Sequence, residues 1–162
     1  MIELMVFGLT YLVVLFFQWS VIPFLAIGGV YPNMPFLCLV FWAWHHTRRQ
    51  SILAGFFSGL LADFLGGGFW GQQALVQSVS GYLAATMHPN RFSLRMMVVF
   101  VLVFFLAIAH ELLNAVISCW FNLGLLPSLI LRYVIPSAFY TALLGPVIQF
   151  IVEYIKERRH RV

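Results

Sequence analysis

Residues 94–121 read LRMMVVFVLVFFLAIAHELLNAVISCWF. Apart from Arg95 at its start, this run carries one ionisable pair, His110-Glu111, with Asn114 following. A membrane span needs roughly 20 apolar residues, so a run of this length predicts a helix that tilts or projects beyond the hydrocarbon. Apolar runs continue on both sides of it. Towards the N-terminus they cover 4–26, 34–45, 52–65 and 72–87, and towards the C-terminus 131–154.

The breaks between these runs carry recognisable stop signals. Gly28-Gly29 ends the first, and Tyr31-Pro32-Asn33 introduces the second. His45-His46-Thr47-Arg48-Arg49 ends the second, Gly66-Gly67-Gly68 with Gly71 the third, and His88-Pro89-Asn90 the fourth. Pro136 and Pro146 fall inside the last run, where proline is tolerated if neighbouring groups satisfy the freed carbonyls, and they predict kinks. The pattern gives an all-α membrane protein of about six spans, forming a single polytopic domain over 1–162. A re-entrant hairpin over 52–65 and 72–87 fits the same spacing.

Basic residues follow the breaks in alternation. Arg48 and Arg49, Arg91 and Arg95, and Lys156, Arg158, Arg159 and Arg161 fall on one side of the six-span arrangement, and Arg132 alone falls on the other. Basic loops face the cytoplasm, which places both termini there and the glycine turn at 66–71 outside. The chain is 62% hydrophobic and 9% charged, against about 25% charged in a soluble domain. The net charge of +4 sits in short clusters rather than on a continuous face, so anionic lipid headgroups are the expected partner and nucleic acid is not. No loop exceeds about a dozen residues, which leaves no room for an extramembrane domain. Cys38 and Cys119 form no CxxC pair and are expected as apolar thiols. The five tryptophans fall near span ends, as an aromatic belt would place them.

Carboxylates inside spans are costly and mark sites. Asp63 follows Gly55 and Gly59 at steps of four, so it faces a close helix contact rather than lipid. His110 and Asn114 share a helix face, with Glu111 beside them. Asp63 and Glu111 fall at similar depth, and Arg132 is the basic residue within reach of either. A polar cluster of Asp63, His110, Glu111, Asn114 and Arg132 is therefore expected in the outer half. A structural network is the stronger reading of it. No HExxH or HxxxH metal pattern, nucleophile–base pair or phosphate loop accompanies the cluster, so no catalytic residue, metal or cofactor is expected.

Several motifs together resemble a known family. They are Pro32-Asn33, Gly55-Phe56, Gly59-Leu60-Leu61-Ala62-Asp63 with Gly66, Gly67 and Gly71, Ala74-Leu75 and Gly81-Tyr82-Leu83-Ala84. His110-Glu111-Leu112, Ile135-Pro136-Ser137-Ala138, Thr141-Ala142-Leu143-Leu144 and Pro146 complete the set. This resembles the bacterial rod shape-determining MreD family, although Gly66 stands where that family often has Ser. The resemblance implies a non-catalytic inner-membrane scaffold of the cell-elongation machinery that helps control cell shape and peptidoglycan synthesis. Its implied partner is the single-span protein MreC, within a wider complex of MreB filaments, RodA and penicillin-binding protein 2. A homodimer within that complex is compatible with it. The implied fold is similar to the substrate-binding subunits of energy-coupling-factor vitamin transporters. A transporter subunit is accordingly the alternative function. The bulky first span counts against it, because such subunits dock through small residues on their first helix. An intramembrane hydrolase acting through His110 or Glu111 ranks third.

Overall fold

In a computed structural model, residues 2–66, 69–87, 96–119 and 123–160 are described, with side chains for 5–66, 69–87, 96–119, 124–151 and 154. Gly67 and Gly68 of the glycine turn, the basic 88–95 loop and Trp120 lie outside the described residues, as do the side chains of the basic tail. The described elements are helices: α1 (Ile2–Ser20), α2 (Met34–Ala43), α3 (Arg48–Gly66), α4 (Gln72–Thr86), α5 (Met96–Ser118) and α6 (Ile135–His160). A short helical turn (Leu126–Leu129) and a π-turn (Ile130–Val134) lead into α6.

Helix α2 is the centre of the bundle. Being apolar on nearly all sides, it has to be buried on nearly all sides. On one flank Phe36, Leu37, Val40, Ala43 and Trp44 pack with Ala84 of α4, with Val99, Val103, Leu106 and Ala107 of α5, and with Ala138 and Ala142 of α6. On the other flank Leu39 packs with Phe7, Tyr11 and Leu15 of α1 and Ala54 of α3. Trp44 is thus a core residue and not part of an interfacial belt, whereas Trp19 and Trp70 are exposed.

The surface is the inverse of a soluble protein's. Met5, Leu9, Phe16, Phe64, Phe105 and Leu131 are exposed, while Ser58, Asp63, Gln77, Ser80, His110 and Thr141 are buried. Apolar exposure on this scale, with polar groups turned inward, requires lipid as the solvent. Among the described residues, Met96–Ser118 and Leu126–Ile151 are long and apolar enough to cross a bilayer, and Met5–Ser20 and Met34–Ala43 are shorter apolar helices.

Three element boundaries differ from the sequence expectation, each for a local reason. The first helix stops at Ser20 rather than running to residue 26, because Pro23 disfavours helical backbone at Ile22 and has no N–H. A 3-10 turn (Ile22–Leu25) follows, then a tight hairpin in which Ile27 and Val30 exchange both backbone hydrogen bonds. Gly28 (φ 62°) and Gly29 (φ 81°) fill its centre, a turn that needs positive φ twice. The third helix begins at Arg48 instead of residue 52. Thr47 N–H donates to Gln50 Oε1 (3.0 Å) and Gln50 N–H to Thr47 Oγ1 (3.4 Å), a capping box spelled Thr-x-x-Gln. With 19 residues it rises about 28 Å, close to the hydrocarbon thickness of a bilayer.

The last helical run begins at Leu126 rather than residue 131, with Pro127 in its first turn, where a missing N–H costs nothing. Ile135 N–H bonds back to Ile130 C=O, which widens the helix immediately before Pro136 and makes room for its ring. Pro136 is half-buried at that point, and Pro146 lies within α6.

Candidate functional site

Polar side chains from all six helices meet at one end of the bundle, opposite the Arg48-Arg49 end of α3. Asp63, buried near the end of α3, accepts hydrogen bonds from three backbone N–H groups of the next helix. Its Oδ1 takes Gln73 N–H (3.0 Å), and its Oδ2 takes Gly71 N–H (3.0 Å) and Ala74 N–H (3.1 Å). These are orphan donors of the first turn of α4, and Gly71, at φ 92°, offers no side-chain cap of its own. A carboxylate there also meets the positive end of the α4 dipole. Asp63 therefore acts as a helix cap supplied from another helix.

The approach that makes this possible depends on Gly55, Gly59 and Gly81. A Cβ on Gly55 would overlap the Gln77 carbonyl, one on Gly59 the Gln73 carbonyl and Ala74 backbone, and one on Gly81 the Ser51 carbonyl. The close contact expected beside Gly55 and Gly59 is thus intramolecular, between α3 and α4. Along the same seam Ser58 Oγ donates to Gln77 Oε1 (2.7 Å), and Gln77 Nε2 donates to the Tyr11 hydroxyl (2.6 Å), joining α3, α4 and α1.

Asn33 is the second joint. Its Oδ1 caps α2 by accepting Phe36 N–H (3.1 Å), and its Nδ2 donates to Glu111 Oε1 (3.0 Å) and His110 Nε2 (3.3 Å) on α5. Its own N–H donates to Thr141 Oγ1 on α6 (3.0 Å). Gln18 of α1 clamps the same turn, donating to the carbonyl of the buried Pro32 (3.1 Å) and accepting Met34 N–H (3.0 Å).

The protonation of His110 follows from its neighbours. Ser80 donates its one proton to Val76 C=O (2.8 Å), so at 2.9 Å from His110 it accepts from Nδ1–H. Nε2 is then the acceptor, and the amides of Asn33 and Asn114 (3.2 Å) both donate to it. His110 is the neutral Nδ1–H tautomer, assigned from this network. Asn114 Oδ1 accepts from Gln72 (3.3 Å) and Gln73 (3.1 Å), so Gln73 bridges Asn114 to Asp63.

The structure brings together His110, Glu111 and Asn114 with Asn33, and links Asp63 to them through Gln73. It does not bring in Arg132, which is exposed on the π-turn and makes no ion pair with Asp63 or Glu111 among the described residues. Tyr11, Gln18, Gln72, Gln73, Gln77 and Ser80 were missed because uncharged side chains raise no alarm in a charge-based reading. Gln73 and Gln77, one helical turn apart in a small-residue segment, were the available signal. Cys38 and Cys119 are free thiols, and no cluster that could hold a metal occurs among the described residues.

Between these joints lies a cavity of about 600 Å³, with Asp63, Glu111, Asn33 and Asn114 in its lining. Replacing Asn33 with Ala is expected to cost about 2–4 kcal/mol. It removes the α2 cap (about 1 kcal/mol) and leaves the Glu111 carboxylate without its hydrogen-bond donor, while His110 Nε2 keeps the donor from Asn114. Thermal unfolding in mild detergent measures this. Asn33→Asp should not restore stability, since it keeps the cap but sets a second carboxylate against Glu111.

Inward-turned polar joints inside a lipid-facing helical bundle define an all-α membrane protein whose ionisable groups serve helix-to-helix bonding. The chain belongs to the rod shape-determining protein MreD family, whose model matches residues 1–157. Its role is accordingly in the determination of rod shape. No curated protein and no solved structure matches the chain.

Proposed function

We propose that the chain is a non-catalytic inner-membrane scaffold of the bacterial cell-elongation complex, binding MreC laterally within the bilayer. Through MreC it joins MreB filaments, RodA and penicillin-binding protein 2. Family membership supports this reading, and so does the use made of the polar residues. Asn33, Asp63, His110 and Asn114 all bond one helix to another, as a rigid docking body requires. Six helices cross the membrane as one body, with both termini and Arg48-Arg49 in the cytoplasm and the polar end outside. The Gly55/Gly59 face is consumed inside the bundle, so a partner helix meets a bulky lipid-facing surface rather than this stripe.

The cavity favours a second reading, a solute-binding transporter subunit. Against it, the exposed face of α1 is dominated by Met5, Leu9, Phe16 and Phe17, and Gly8 is followed four positions later by Leu12, so no small-xxx-small step continues from it for docking an energy-coupling protein. Purification in mild detergent separates the two. Recovery of a single-span protein with a large periplasmic part supports the scaffold, and recovery of an ATPase module in its place refutes it.

A further inference from the structure

We infer that the cavity at the polar end is a binding site for a primary-ammonium group, with the Glu111 carboxylate as its anchor. The volume of about 600 Å³ falls within the range of small-molecule sites. Among the described residues its lining contains two carboxylates, Asp63 and Glu111, and no Lys or Arg. Both oxygens of Asp63 are already engaged, by three backbone donors. Glu111 is not: it is 7% exposed, its Oε1 accepts from Asn33, and its Oε2 has no hydrogen-bond partner among the described residues. An unpartnered carboxylate oxygen on an otherwise buried residue that lines a cavity is open to a donor.

The surrounding amides narrow the ligand further. Gln72 donates through Nε2 to Asn114 and Ser118, and Gln73 donates to Asn114, while the Oε1 atoms of both take no donor among the described residues. The lining therefore keeps carbonyl and carboxylate acceptors in reserve. An anion would find no cationic side chain, and a quaternary ammonium would bring no N–H. A primary ammonium brings three N–H donors and a charge. Tyr11, Tyr31 and Tyr133 in the lining add aromatic faces favourable to a cation. The exposed lining residues Trp19, Pro23, Phe69 and Ser118 lie at helix ends and in loops, on the side where water and headgroups meet. The ammonium can thus come from a free amine or from an ethanolamine headgroup. This inference stands apart from the scaffold reading and survives its failure.

The test uses the full chain in phosphatidylcholine nanodiscs, with ethanolamine and its trimethylated counterpart choline as soluble probes. Nanodiscs containing phosphatidylethanolamine form the lipid arm. Binding is read by calorimetry and by the shift in thermal unfolding. Ethanolamine or phosphatidylethanolamine should bind at least about tenfold more tightly than choline or phosphatidylcholine, and Glu111→Gln should remove that preference, as expected for loss of one charge-assisted hydrogen bond. A response to the lipid alone assigns the headgroup as the source, and a response to ethanolamine alone assigns a soluble amine. Ala62→Phe, which fills the cavity without altering the Glu111 hydrogen bond, should also abolish binding, and it carries the test if Glu111→Gln does not fold. Equal binding of choline, retention by both variants, or no binding of either primary amine overturns the assignment.

Discussion

Replacing Asp63 with Ala is expected to lower the stability of the folded chain by about 3 kcal/mol or more, the largest loss from any single polar residue in the bundle. The variant strands three backbone donors at the start of α4, each costing about 1–3 kcal/mol when buried without a partner. The sum is tempered because Asp63 lines the cavity, where water can replace part of what is lost. Asp63→Asn should fall between the variant and the parent, since one carboxamide oxygen still accepts while its NH₂ faces a backbone donor. Thermal unfolding in detergent reads the stability, and cell shape in a complemented strain reads the consequence. If Asp63→Ala unfolds with the parent and supports rod shape, the capping account is wrong.

Bulkier residues at Gly55 or Gly59 should do comparable damage by a different route. The first atom they would add lands on the α4 backbone, which cannot step aside as a flexible side chain can. Overpacking of this kind costs about 1–3 kcal/mol for one methyl group. Here the helices must also separate, which stretches the Ser58–Gln77 bond and pulls Asp63 off its three donors. Gly59→Val is therefore expected to prevent accumulation of folded protein, and Gly59→Ala to cost about 3 kcal/mol. Gly8 on α1 provides the contrast, because a Cβ there meets nothing within 4 Å. Gly8→Ala should be neutral or stabilising by up to about 1 kcal/mol through helix propensity alone. Equal behaviour of the Gly8 and Gly59 variants would remove the close α3–α4 contact from the account.

Much of the helical layout was legible because its signals are local. Apolar length, proline and glycine breaks and the positions of arginine act within a few residues of themselves, and they located the helices. The boundary errors were local too: Pro23 shortened α1, the Thr47–Gln50 box lengthened α3, and Pro127 began the last helical run early. The step of four from Gly55 to Asp63 correctly gave a helix face. It could not say that the occupant opposite was the backbone of α4. Pairing Arg132 with an acid failed because depth along an axis leaves the direction around the helix undetermined.

From the order of its residues alone, this chain is a lipid-immersed helical protein with Asp63 and the His110–Asn114 group turned away from lipid. Hydropathy and helical period suffice for that, since both are written along one segment at a time. Which atoms those groups bond, and the cavity they enclose, were decided only when distant segments met. Asn33 reaches residues 77, 78 and 108 positions further along the chain, and nothing in its own neighbourhood encodes those partners.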